Sequence, residues 1–220
     1  MELRDNSQRA KTILNIFYVL AFVIVALFIS NFMQYNLLQS EVFDEAAATS
    51  NDIRQQAINL LYLVILITGW VYFIRWFRRA YYNLHMIDSD LEYEESMAAY
   101  SWMIPFINFV RPLSIMKEIW EKTQKHANVE KIESSGIVGI WWTFWVIQLV
   151  LGNIEFRLPM ETLEELQTTT LFALISGVIE FITLMIVIVI IKRVSEFEDA
   201  LYNAKNEMGI EEHLIDGLKN

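Results

Sequence analysis

Thr168 to Ile191 reads TTTLFALISGVIEFITLMIVIVII, twenty-four residues that hold one charge, Glu180. A run of that length and apolarity crosses a bilayer as a helix. About 20 residues at 1.5 Å each match the hydrocarbon core, and a helix satisfies its own backbone where no water can. Three more runs share this character. The first is uncharged from Thr12 to Ser40, the second from Ala57 to Ile74, and the third from Gly136 to Ile154. The sequence therefore predicts an all-α, polytopic membrane protein. It reads as a single membrane domain over 1–220, with four transmembrane helices at about 12–34, 57–77, 136–154 and 168–192.

Composition agrees. Apolar residues make up 55% and aromatics 14%, with seven Trp and fourteen Phe, as interfacial aromatic belts require. Charged residues are 20% of the chain but clustered, so the spans stay clear of them. There is no Cys, which excludes disulfides, thiolate metal sites and a Cys nucleophile. The net charge of −10 argues against nucleic acid as a partner. The first apolar run follows Arg4, Arg9 and Lys11 but is too long for a signal peptide and lacks a small-residue cleavage site.

Orientation follows from Lys and Arg. Fifteen of the seventeen lie in the N-terminus, the 78–135 loop with its approach at Arg75, and the C-terminal end, where Lys192 precedes the 193–220 tail with Arg193, Lys205 and Lys219. Only Arg54 and Arg157 fall in the other two loops, about Gln34 to Gln56 and Glu155 to Gln167. The positive-inside rule then places both termini and the long loop in the cytoplasm of a bacterial inner membrane.

The long loop holds the least ordinary stretch, Trp102-Met103-Ile104-Pro105-Phe106-Ile107-Asn108-Phe109-Val110-Arg111-Pro112. It is apolar, too short to span and broken twice by proline, so it reads as a re-entrant or interfacial segment on the cytoplasmic side. Pro112 suits the start of a helix, where its missing N–H costs nothing. That amphipathic helix runs to about His126, with Leu113, Met116, Ile119 and Trp120 on its apolar stripe. Before the segment, span two runs on through an aromatic belt of Trp70, Tyr72, Trp76 and Phe77. Arg75 and Arg78 flank Trp76 where lipid phosphates would lie, so these three are the candidate lipid-contacting residues. Asp88 to Glu95 forms an acidic turn that lacks the Gly and the spaced ligands of a calcium loop.

Trp76, Arg79-Ala80, Asn83, then Trp102, Ile104-Pro105, Asn108, Arg111-Pro112, then Glu118-Ile119-Trp120 together resemble the bacterial membrane-protein family known as domain of unknown function 4328. The resemblance covers roughly Ala57 to Leu151. It implies a four-helix integral membrane protein and no particular reaction. The acidic turn departs from the family's usual pattern, in which basic or small residues are more typical.

Two polar groups carry the functional reading. On the cytoplasmic side, Arg79, Asn83, Asn108, Arg111 and Glu118 form a clamp that pins the Pro-broken segment, or they line a ligand site. Inside the membrane, Glu180 continues a small and polar stripe of Thr169, Ala173, Ser176, Gly177 and Thr183, with Ala173 and Gly177 spaced for close helix contact. A carboxylate at that depth faces the bundle or a wet cavity, or carries a proton. Gln148 on span three lies at the same depth, and Gln148, Ser176 or Thr183 would satisfy it by a hydrogen bond. It is either a packing group or an ion site.

His85, His126 and His213 have no metal-ligand spacing, and no nucleophile, phosphate-loop or metalloprotease motif occurs. No cofactor and no metal are expected, and the chain is not read as an enzyme. Two functions fit. One is an oligomeric channel-like or membrane-perturbing module that rests on Glu180, Gln148, Ser176 and Thr183. The other is a membrane scaffold whose cytoplasmic loop recruits a soluble partner or anionic lipid. The expected partners are the bilayer and a second copy or another membrane or cytoplasmic protein.

Overall fold

A computed structural model describes residues 3–40, 44–127 and 129–218, with side chains described as far as residue 205. The side chains of His213 and Lys219 thus lie outside the described residues. The chain forms helices α1 (Ser7–Leu38), α2 (Glu45–His85), α3 (Met97–Tyr100), α4 (Arg111–His126), α5 (Gly136–Glu155) and α6 (Leu163–Leu218), with a 3-10 turn at Ile107–Phe109. No strand occurs among the described residues. Helices α1, α2, α5 and α6 are each long and apolar enough to cross a membrane.

The helices run past the apolar runs, and local chemistry says why. The stretch Gln34 to Gln56, expected as a loop, is mostly helical, because α1 continues to Leu38 and α2 already starts at Glu45. Asp44 caps α2: its Oδ1 accepts from the Ala46 N–H at 3.0 Å, and the Ala-rich sequence that follows favours helix. Thr162 and Glu165 form a capping box for α6. The Glu165 N–H donates to Thr162 Oγ1 at 3.2 Å, and Glu165 Oε2 accepts from the Thr162 N–H at 3.0 Å. Pro112 lies in the first turn of α4, as its lack of an N–H allows.

The chain divides into two compact units. One gathers the described residues of Met1–Ile13, Tyr72–Gly139 and Val189–Asn220; the other is Leu14–Val71 with Ile140–Ile188. The first, the loop unit, has an aromatic core. Trp76, Phe77 and Tyr81 of α2 are fully buried, as are Ile115, Met116 and Ile119 of α4. Phe197 and Leu201 extend the apolar stripe of α6 into this unit. Trp102 packs edge-on against Phe73 and Phe77, with centroids 5.5 and 5.8 Å away, and so anchors the Pro-broken segment. The rest of that segment is outward. Ahead of α4 it holds only the 3-10 turn, with the one-turn helix α3 just before it, and the stretch exposes Tyr100, Met103 and Phe106. Phe106 sits at φ 65°, a region that a non-glycine residue enters only at a cost.

One buried glutamine closes the connection from α4 to α5. Gln124 donates to the Glu133 carbonyl at 3.2 Å and accepts from the Glu133 N–H at 2.6 Å, and Trp120 Nε1 donates to the same carbonyl at 3.0 Å. Arg193 then pairs with the Glu133 carboxylate at 2.6 Å.

The second, the span unit, turns its large apolar side chains outward, as lipid solvent demands: Phe22, Leu60, Ile67, Ile140 and Ile175 are all exposed. Helices α1 and α2 come close at Gly69, where an added Cβ would stand 3.1 Å from Phe17 Cε1. At Gly177 an added Cβ would stand 4.0 Å from Phe28 Cδ2 of α1, an ordinary contact that does not require a small residue. Gly69→Val should lower stability by about 1–3 kcal/mol through overpacking. A melting curve of the detergent-purified variant that matches the wild type would show that the contact is slack.

Candidate functional site

The span unit contains a polar cavity of ≈ 320 Å³. Its wall is built by helical spacing. Gln55, Asn59 and Tyr62 lie at i, i+4 and i+7 on α2, and Asn31 and Gln34 lie three apart on α1. From α6 come Thr169, Thr170, Ser176 and Glu180. The rim is cross-linked. Gln34 Nε2 donates to Thr170 Oγ1 at 2.9 Å, Gln55 Nε2 donates to Asn31 Oδ1 at 3.2 Å, and Arg54 Nε donates to Ser30 Oγ at 3.0 Å. Ser176 Oγ and Gln55 Oε1 line the cavity, buried and without a hydrogen-bond partner.

Glu180 receives its hydrogen bond from the Tyr62 hydroxyl of α2 and not from Gln148 of α5. Sequence reasoning placed Gln148 opposite Glu180 from depth alone, and depth does not give helix azimuth. Ser176 shares the cavity with Glu180, whereas the Thr183 hydroxyl is spent on the Ile179 carbonyl at 2.8 Å. The missed residues were legible in kind. Asn31, Gln34, Gln55 and Asn59 are the polar residues nearest the ends of two apolar runs, and Tyr62 continues their face.

The candidates of the loop unit do not form one clamp. Asn83 is 6% exposed and pairs with the Arg4 backbone in both directions, accepting from its N–H at 3.0 Å and donating to its carbonyl at 2.8 Å. Glu118 accepts from the Tyr81 hydroxyl at 2.7 Å and from the Glu92 N–H at 3.0 Å. Burial, and then this carboxylate, hold the Tyr81 phenol above its usual range. Arg111 lies against Met97 Sδ at 3.2 Å and 5.3 Å from the Tyr93 ring centre. Arg79 stacks on Tyr82, and Asn108 Oδ1 is buried without a partner. The lipid-contact set also needs correction. Trp76 is 0% exposed because the aromatic core encloses it, and Phe77 is buried with it, so neither belongs to a lipid-facing belt. Arg78 is held by Glu95 at 2.7 Å, while Arg75 is exposed and stacked on Tyr72.

Sequence reasoning missed Glu198 altogether. It lies six residues beyond the span ending at about 192, and both carboxyl oxygens accept from buried amides: Oε2 from Asn6 at 2.8 Å and Oε1 from Asn83 at 3.0 Å. Burial pushes its pKa up to about 7. The two amide donors oppose that shift, and Asp199 and Asp5 add to it.

The helices and the cavity define a multi-pass membrane protein. Residues 39–196 match the model of the domain of unknown function DUF4328, and the chain belongs to that family. No curated protein and no solved structure matches it.

The Glu198 geometry has a signed consequence. Its folded-state pKa is above the ordinary carboxylate value, so the stability it contributes is present below about pH 4.5 and is lost as pH rises through about 7. Thermal unfolding should show the wild type losing stability between pH 5 and 8 relative to Glu198→Gln. Parallel pH profiles for the two proteins would contradict the assignment.

Proposed function

We propose that this is a non-enzymatic protein of the bacterial inner membrane that acts as a channel-like module. Its span unit admits water and small polar solutes to the level of Glu180. The observation that carries this reading is the ≈ 320 Å³ cavity whose lining runs from Gln34 and Gln55 to Tyr62 and Glu180, with Ser176 and Gln55 offering unpartnered polar atoms to what enters. A cavity of that polarity inside lipid is expensive for packing alone, because its groups could be replaced by apolar ones without loss of fold. The Tyr62–Glu180 pair supplies a donor and an acceptor at its inner end. In proteoliposomes loaded with a pH-sensitive dye, Glu180→Gln should reduce proton or potassium flux by about tenfold or more. Equal flux from wild type and variant would remove the channel-like reading.

Both termini are assigned to the cytoplasm, on the strength of fifteen of seventeen Lys and Arg in the terminal segments and the long loop. A fluorescent reporter fused after Asn220 should be bright in cells. An alkaline phosphatase fusion at the same point that is active instead would reverse the orientation.

A further inference from the structure

The loop unit has a second cavity, ≈ 260 Å³, between the N-terminal segment, α2 and the far part of α6. Asp5, Glu198 and Asp199 all line it. Among the described residues no Lys or Arg forms an ion pair with any of the three. The one cation in the lining, Arg4, is stacked over the Tyr82 ring at 4.4 Å. Asn6 lines the same cavity at 4% exposure. Its Nδ2 is used on Glu198 and on the Trp76 carbonyl, and its Oδ1 is buried without a partner. This orphan acceptor is independent of the acids and asks for a donor.

We propose that this cavity binds a small organic ammonium ion, with Glu198, Asp5, Asp199 and Asn6 Oδ1 as its acceptors and Leu3 and Leu201 as the wall for its methylenes. The geometry favours an ammonium over a bare metal ion. Among the described residues no three His, Cys, Asp or Glu converge as metal ligands do. The acceptors are instead spread around a volume larger than one ion, which suits a group with three N–H donors on an apolar stem. The strap from Leu3 to Ser7 closes one side. Leu3 packs on Ala127 and Leu201, and its neighbour Arg4 is pinned by Asn83. The groups facing Glu198 are therefore two amides (Asn6 and Asn83), two carboxylates (Asp5 and Asp199) and the stacked Arg4. A bound cation favours the Glu198 carboxylate, so binding releases a proton.

The test uses the full chain in nanodiscs of zwitterionic lipid, with 1,4-diaminobutane as the probe and calorimetry as the readout. Wild type should bind at one saturable site per chain, about tenfold more tightly at pH 8 than at pH 6, because the amine stays protonated over that range while Glu198 does not. Asp199→Asn, an exposed change that leaves the fold in place, should weaken binding several-fold, and Glu198→Gln should weaken it about tenfold or more. Glu180→Gln should bind like wild type, which separates this site from the membrane cavity. The proposal is overturned if wild type shows no saturable binding or if Asp199→Asn binds as well as wild type. It is equally overturned if magnesium at the same concentration displaces the diamine.

Discussion

One carboxylate held by two amides organises the loop unit. Glu198 of α6 takes Asn6 on one oxygen and Asn83 on the other, and Asn83 also pairs with the Arg4 backbone. The N-terminal segment, α2 and α6 thus meet at a single acidic group. A hydrogen bond to a carboxylate is worth about 1.5–3 kcal/mol net, but leaving a buried amide unpaired costs about 1–3 kcal/mol and leaving the carboxylate so costs more. The arrangement is therefore enforced as much by what its loss would expose as by what it gains. The aromatic core around Trp76, Phe77 and Trp102 supplies the bulk burial. The polar knot selects which surfaces meet.

The span unit meets the opposite solvent condition with the same accounting. Its apolar side chains face out, and its polar ones face a cavity in which they bond to one another across helices. Van der Waals contact such as that at Gly69, not a hydrophobic drive, brings α1 against α2, because lipid is as apolar as the side chains it would replace. The Tyr62–Glu180 pair joins α2 to α6 among these polar contacts.

Much of the fold was legible in the sequence. Four apolar runs, Pro112 at a helix start and the Met116, Ile119 and Trp120 part of the α4 stripe appear as read, because helical period and turn chemistry are local properties, while Ile115 is buried in place of the half-buried Leu113. The caps Asp44 and Thr162 are equally local, and so the starts of α2 and α6 are legible from them. The sites were less legible. Gln148 was chosen for Glu180 by depth, but the choice between α2 and α5 depends on how each helix is rotated, which no single run reveals. Trp76 looked like an interfacial residue by position and is a core residue by packing. Glu198 was invisible because its partners Asn6 and Asn83 lie 192 and 115 residues away in the chain.

The way Gln124 grips residue 133 has a practical side. The side-chain amide reproduces a two-way backbone pairing, and Trp120 and Arg193 add to it, so the α4–α5 connection is registered at one residue rather than along its length. Glu130, Lys131 and Ile132, just before that point, are exposed. Extra chain spliced in there would cost little beyond loop-closure entropy, which grows by only about 0.6 kcal/mol for each doubling of length. The connection is thus a natural port for an inserted tag or soluble domain, one that gives imaging a fiducial without touching a span.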